Sequence, residues 1–368
     1  MFKKYDRSLF KKLRKQHNIF VLVGNGFDVS ILKKFQSKKL PGKTTKYDDF
    51  FDYISYFNLS SLDNLLYRKM REEYKIKDNW SDFENTIGEI LDSSDNYELE
   101  KSVDEFQALF TRFLNDLIDT DILLQLDREV AEKELSIQSL GSFLKDIDTK
   151  NGNRLKFMES IDHYDLYNFT FANFNYTPLL DNYIYLDKFQ FDPHIHKTVD
   201  TNFRMKHIYS NTTEDGYSSY LVSQVIHPHG IQSIPRSILF GIYLDNCDEG
   251  RGSEKRFVKG YWSQYDVKYK SYLEEADLFI IYGMSLGLSD AWWFDNIYKQ
   301  ILNRGVELII YMHGSYVDAI VKELFIHSCL RHRKSDYQEK ETVKKNIYVV
   351  TFETNNTYFL GLENKSHK

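Results

Sequence analysis

The chain has 368 residues, is 42% hydrophobic and carries a formal net charge of −6. It can therefore bury a sizeable core, and it offers no overall basic field to attract nucleic acid. Two distant cysteines, Cys247 and Cys329, form no CxxC pair, which excludes a disulfide framework and a four-cysteine zinc site and leaves a reducing cytoplasm as the default compartment.

Residues 1–17 are basic and lack the apolar core of a signal peptide, so they read as a solvated lead-in. No apolar run approaches the ~20 residues of a membrane span. Residues 18–23 form the first apolar, β-branched run and lead into Gly24-Asn25-Gly26. Residues 48–150 read as a helical insertion, with helices over 79–91 and 102–118. Phe106, Leu109, Phe110, Phe113, Leu114 and Leu117 share one face of the second, the pattern of packing on a neighbouring helix. The next strand, 166–174, runs into Asn175-Tyr176-Thr177. Residues 190–217 are polar and irregular, a loop or lid. Strands follow at 220–226, 237–240 and 278–282, then a helix at 290–303, a strand at 306–312 and a helix at 317–325. The charge run 331–345 precedes a last strand, 347–352. Alternating strands and helices predict an α/β fold with a mostly parallel, Rossmann-like sheet flanked by helices. Its domain spans 18–47 and 151–368, with the insertion after the first strand.

Four short motifs each close a predicted strand. In Val23–Asp28 (VGNGFD) the glycines permit a tight turn and a close approach to a pyrophosphate, but Val29 stands at the third glycine of the dinucleotide fingerprint. Asp28 would repel phosphates when ionised. It reads as a helix cap, a ribose ligand or an orienting group. In Phe174–Thr177 (FNYT) Asn175 is suited either to a ribose hydroxyl or to a buried turn. In Ile226–Gly230 (IHPHG) His229 is a candidate general base and His227 its backup. A metal site drawing on His227, His229, His194, His196 or Asp28 lacks a compact spacing, and no metal ligand is assigned. In Tyr282–Asp290 (YGMSLGLSD) Ser285 suits a phosphate or ribose and Asp290 suits a helix cap. Ser285 is not assigned as a nucleophilic serine. Ligands of open α/β sheets gather at the carboxyl ends of strands, so the four motifs point to one nucleotide pocket.

The ordered series GNGFD, TKYDDF (45–50), NWSDFE (79–84), FNYT, HPHG and GMSLGLSD resembles the AbiH family over residues 18–312. The resemblance implies abortive infection, in which an infected bacterium halts before phage is released. At a greater distance the series is similar to sirtuin-like domains. Gly24-Asn25-Gly26 matches their phosphate loop, Asn175 their ribose-handling Asn, His229-Gly230 their catalytic His-Gly, and Gly283-Met284-Ser285-Leu286 their late Gly-Thr-Ser-Leu loop.

That likeness implies hydrolysis of NAD at the nicotinamide–ribose bond. His229 and Asn175 would be catalytic. Gly24, Asn25, Gly26, Asp28, Thr177, Gly230, Gly283, Ser285, Leu286 and Asp290 would bind the nucleotide. NAD is then the substrate, and no further cofactor is required. The resemblance also implies restraint in healthy cells, relieved by a phage-derived trigger or a homo-oligomeric switch. Deacylation is disfavoured without the zinc ribbon. Two other readings stay open: a module that senses NAD or a related nucleotide, and a metal-dependent hydrolase or nuclease. Trp80, Asp82 and Glu84 of NWSDFE have no sirtuin counterpart and serve either to pack the insertion or to reach the pocket. Neither a membrane nor a nucleic acid is an expected partner.

Overall fold

A computed structural model of the chain describes residues 15–76, 87–90, 96–186, 203–210, 216–242, 257–353 and 357–363. Six strands form one parallel sheet: β1 (Gln16–Val23), β2 (Leu166–Asn173), β5 (Tyr220–Ile226), β6 (Leu278–Tyr282), β7 (Glu307–His313) and β8 (Ile347–Phe352). The short strands β3 (Arg204–Met205) and β4 (Tyr217–Ser218) make a separate antiparallel pair. They fall within the stretch expected to be irregular. The order across the main sheet is β5-β2-β1-β6-β7-β8. Its central strands are buried on both faces, which is why their sequences are nearly continuous apolar runs rather than alternating ones.

The chain leaves β1 for β2 and β5 on one side, then crosses back to start β6 on the other. Strand order thus reverses between β1 and β6, and such a reversal opens a crevice beyond the carboxyl ends of the two strands.

Helices cover both faces. The longer described helices before β2 are α1 (Gly26–Lys34), α2 (Tyr47–Tyr56), α3 (Leu65–Ile76), α4 (Asn96–Leu117), α5 (Thr120–Lys133) and α6 (Leu135–Ser142). They share one hydrophobic core with the sheet face bearing Val21, Phe171, Tyr282 and Tyr311. Next come α7 (Leu179–Ile184), α8 (Ala291–Arg304), α9 (Asp318–Ser328) and α10 (Tyr337–Lys345). Trp293 and Ile297 of α8 and Phe325 of α9 pack with Phe20, Leu22 and Phe279 on the opposite face.

The stripe on α4 does pack on a neighbouring helix. Phe50 of α2 meets Phe106 and Phe110 edge-on at 5.0 and 4.9 Å, with Phe113 tilted beside it. The segment after β8 returns to this layer. Asp146 accepts the main-chain N–H groups of Tyr358 and Phe359 at 2.7 and 2.9 Å, and Phe359 packs against Tyr282 and Tyr311.

Residues 237–240 are not a strand. Pro235–Ser237 form a short 3-10 turn, and Ile238, Leu239 and Phe240 continue as buried irregular chain. The run is apolar because Phe240 wedges against Phe106 and Phe110, not because it joins a sheet. Of the helix expected over 79–91, residues 79–86 and 91 lie outside the described residues, and so do Trp80, Asp82 and Glu84. Residues 1–14 of the lead-in also lie outside. Among the described residues no helix is long and apolar enough to cross a membrane.

Phe50 is fully buried among three rings, so removing it leaves a cavity that its neighbours cannot fill. Phe50→Ala is expected to lower unfolding stability by about 3–5 kcal/mol, read as a drop in denaturant midpoint. A loss below about 1 kcal/mol would mean that α2 is not anchored through this cluster.

Candidate functional site

The loop after β1 is laced to the loop after β6. Gly24 N–H donates to the Tyr282 carbonyl and Gly26 N–H to the Gly283 carbonyl, both at 2.9 Å. A Cβ on Gly24 would lie 2.7 Å from the Gly283 oxygen, and one on Gly26 would lie 2.8 Å from the Gly283 Cα. Neither glycine has a positive φ, whereas Gly283 does, at +65°. Gly24 and Gly26 are therefore explained by the close approach of two backbones. Their N–H groups are spent on carbonyls and not held ready for a phosphate.

Two further ties fix this loop from above and from the side. Thr45, in the stretch leading into α2, donates its hydroxyl to Asn25 Oδ1. Asn175, just past β2, donates its side-chain amide to the Gly24 carbonyl at 3.1 Å, and its own N–H is held by Asn173 Oδ1 at 3.1 Å.

Asp28 is fully buried in the first turn of α1. It does not cap the helix. Asn25 occupies the cap position without a side-chain cap bond, and Asp28 Oδ2 instead accepts the Thr177 hydroxyl at 2.7 Å. Its other oxygen, Oδ1, has no hydrogen-bond partner among the described residues. Burial raises its pKa to about 7, more than the Thr177 bond can offset. A carboxyl that is half neutral at pH 7 repels a phosphate far less than the sequence alone suggests.

His229 is also buried, with Phe174 edge-on to its ring at 4.9 Å. Its Nε2 pairs with the Tyr265 hydroxyl at 3.0 Å and lies 3.5 Å from Asp290 Oδ1. Lys259 Nζ lies 3.6 Å from the same Asp290 oxygen, and Lys259 is 1% exposed. Burial, with the Lys259 charge adding to it, holds the His229 pKa well below its ordinary value, so the ring is neutral at neutral pH. Burial pushes Asp290 upward against the pull of Lys259. Asp290 stands at the cap position of α8 but makes no side-chain cap bond. The helix-cap reading of this carboxylate fails because its oxygen is turned to His229 and Lys259.

A cavity of about 1000 Å³ opens over this floor. Gly24, Asn25, Gly26, Asp28, Asn175, Thr177, His229, Gly283, Ser285 and Asp290 all line it. Thr45, Lys46 and Tyr47, with Asp48, Phe110 and Leu114 of the insertion, add to the wall. The ends of β7 and β8 add Met312, His313 and Phe352.

Gly230 and Leu286 lie off this wall. Gly230, at φ +88°, has its Cβ position filled by the Ser237 carbonyl, and the Leu286 side chain is buried in the core beneath α8. His227 turns away to Asp181 at 3.0 Å. Among the described residues no three His, Cys, Asp or Glu gather as a metal-binding group; His194 and His196 lie outside those residues.

Lys259 and Tyr265 were missed by the sequence reading. They sit on one-turn helices, Lys259–Trp262 and Tyr265–Lys268, whose sequences look like solvent-exposed turns. Only the tertiary fold shows that both are buried beside His229.

A family model described as "Bacteriophage abortive infection AbiH" matches residues 20–312. No curated protein and no solved structure matches the chain.

The burial of Asp28 makes a pH-dependent prediction. Unfolded, the group ionises near its ordinary 3.8; folded, near 7. Between these values the folded chain holds the extra proton, so Asp28 costs stability as pH rises from 4 to 7, at up to roughly 1.4 kcal/mol per unit, and no further cost accrues above. Asp28→Asn keeps an acceptor for Thr177 and removes that cost. It is expected to melt several degrees above wild type at pH 8, with the gap closing by pH 4. A gap that does not change with pH would refute the assignment.

Proposed function

The chain belongs to the AbiH family, whose role is abortive infection of phage-infected bacteria, and from that premise we propose that its cleft binds a dinucleotide and hydrolyses NAD at the nicotinamide–ribose bond. The observation that carries the proposal is the cavity at the strand-order reversal, which gathers His229, Asn175, Asp28 and the α1 N-terminus around one space. From the β5 side to the β8 side the sheet edge spans five inter-strand spacings, about 24 Å. That length suits two nucleosides joined through a pyrophosphate.

In this reading the pyrophosphate lies over Asn25 at the positive end of α1. Because the N–H groups of Gly24 and Gly26 are already bonded, Lys46 on the rim supplies the charge that the loop does not. Asn175 has committed its amide N–H to Gly24 and offers its Oδ1 to a ribose hydroxyl. Asp28, in its neutral form, donates from the unpartnered oxygen to a second one. The C1′–N bond breaks with its electron pair leaving on nicotinamide, which departs neutral. An oxocarbenium-like sugar remains, and water adds to C1′. Neutral His229, oriented by Tyr265, accepts the proton that the water loses. The apolar wall of Phe110 and Leu114 keeps bulk water away until that point.

The second reading, a nucleotide sensor, is favoured by one observation. Burial and Lys259 make His229 a weak base, which matters for turnover but not for binding.

NAD consumption by purified protein separates the two, with and without lysate from infected cells. Wild type is expected to release nicotinamide. Asn175→Ala and His229→Ala are expected to lose activity, the latter by about 100-fold or more. Folded protein that binds NAD and releases no nicotinamide under any condition would refute hydrolysis and leave the sensor.

A further inference from the structure

Part of the cavity wall is not used by the proposed chemistry: Lys33 and Lys34 of the last turn of α1, with His313 and Phe352 at the ends of β7 and β8, line what we call its β7–β8 arm. The carboxylates on the cavity wall are Asp28 in the first turn of α1, Asp48 and Asp290; the last turn of α1, β7 and β8 contribute none. Lys34 is compensated, since its ammonium pairs with Glu129 at 2.7 Å and also reaches the Leu362 carbonyl. Lys33 has no ion pair or hydrogen-bond partner among the described residues and is exposed to the arm. Phe352 stands edge-on to the His313 ring at 5.6 Å, giving the arm an apolar wall beside its cations.

An uncompensated lysine on the wall of a cleft long enough for a dinucleotide is more positive charge than an unmodified adenosine needs. A phosphate on that ribose would supply the missing partner, and the nearby carboxylate of Glu129 is already neutralised by Lys34. We propose that this arm selects a dinucleotide phosphorylated on its adenosine ribose, of the NADP type, with Lys33 pairing the extra phosphate. The inference rests on the reading above, because it requires the nicotinamide half to lie toward Asn175 and His229 and the adenosine half toward β7 and β8.

Binding of ADP-ribose and of its 2′-phosphate, measured by calorimetry on the full chain, tests this without turnover. The phosphorylated ligand is expected to bind roughly five- to tenfold tighter at low salt, with the preference shrinking as salt rises. Lys33→Ser, at an exposed position, is expected to erase the preference while leaving ADP-ribose affinity unchanged, and Lys33→Arg to restore it. Equal binding of both ligands would overturn the proposal and leave the dinucleotide reading intact. A preference that survives Lys33→Ser would overturn the assignment of the arm. If neither ligand binds folded protein, the dinucleotide reading itself falls.

Discussion

The geometry of the cleft depends on two main-chain bonds, from Gly24 and Gly26 to the carbonyls of Tyr282 and Gly283. They lock together the loops at the point where strand order reverses. Side chains on either residue would push the loops apart, since the Cβ positions are already taken by the β6 loop. With the loops locked, the α1 N-terminus, the Asn175 turn and the start of the α8 helix converge on one space. The same bonds consume the donors that a glycine-rich loop usually offers a phosphate. A ligand must then be held by the helix end, by side chains and by rim cations. In this molecule the glycines build the site and do not touch the cargo.

Charge inside the cleft is managed by burial. Asp28 and Asp290 are both pushed toward their neutral forms, and His229 is held neutral. Lys259, buried beside Asp290, opposes part of that shift. The floor therefore carries little net negative charge near neutral pH, although its sequence is rich in acids. The exposed Lys33 of α1 and Lys46 of the lead into α2 line the same cavity. The potential thus rises from floor to rim, a gradient of the sign that the proposed anionic ligand would require.

The strands were legible because burial on both faces leaves a plain signature: short apolar runs such as 18–23 and 278–282, each ended by small polar residues. The stripe on α4 was legible for the same kind of reason. The run at 237–240 shows the limit, because an apolar segment that packs through side chains alone looks like a strand until its main-chain bonds are traced. Asp28 and Asp290 mark a second limit. Local rules make each a helix cap, but partners distant in sequence, Thr177 for one and Lys259 for the other, claim their oxygens. Lys259 itself had no motif to announce it. The convergence of FNYT, HPHG and the two glycine loops could be inferred from strand ends, whereas the sharing of one cavity by Lys33 and Phe352 shows only in the fold.

The position of β1 between β2 and β6 also sets a schedule. Its second neighbour is made roughly 260 residues after β1 itself. At about 5–20 residues per second, β1 waits some tens of seconds on the ribosome before β6 can pair with it. During that time the floor has one wall and the loop after β1 has nothing to lace to. The cleft of this abortive-infection family member is therefore incomplete while the chain is being built. That interval is written into the order in which the strands are threaded.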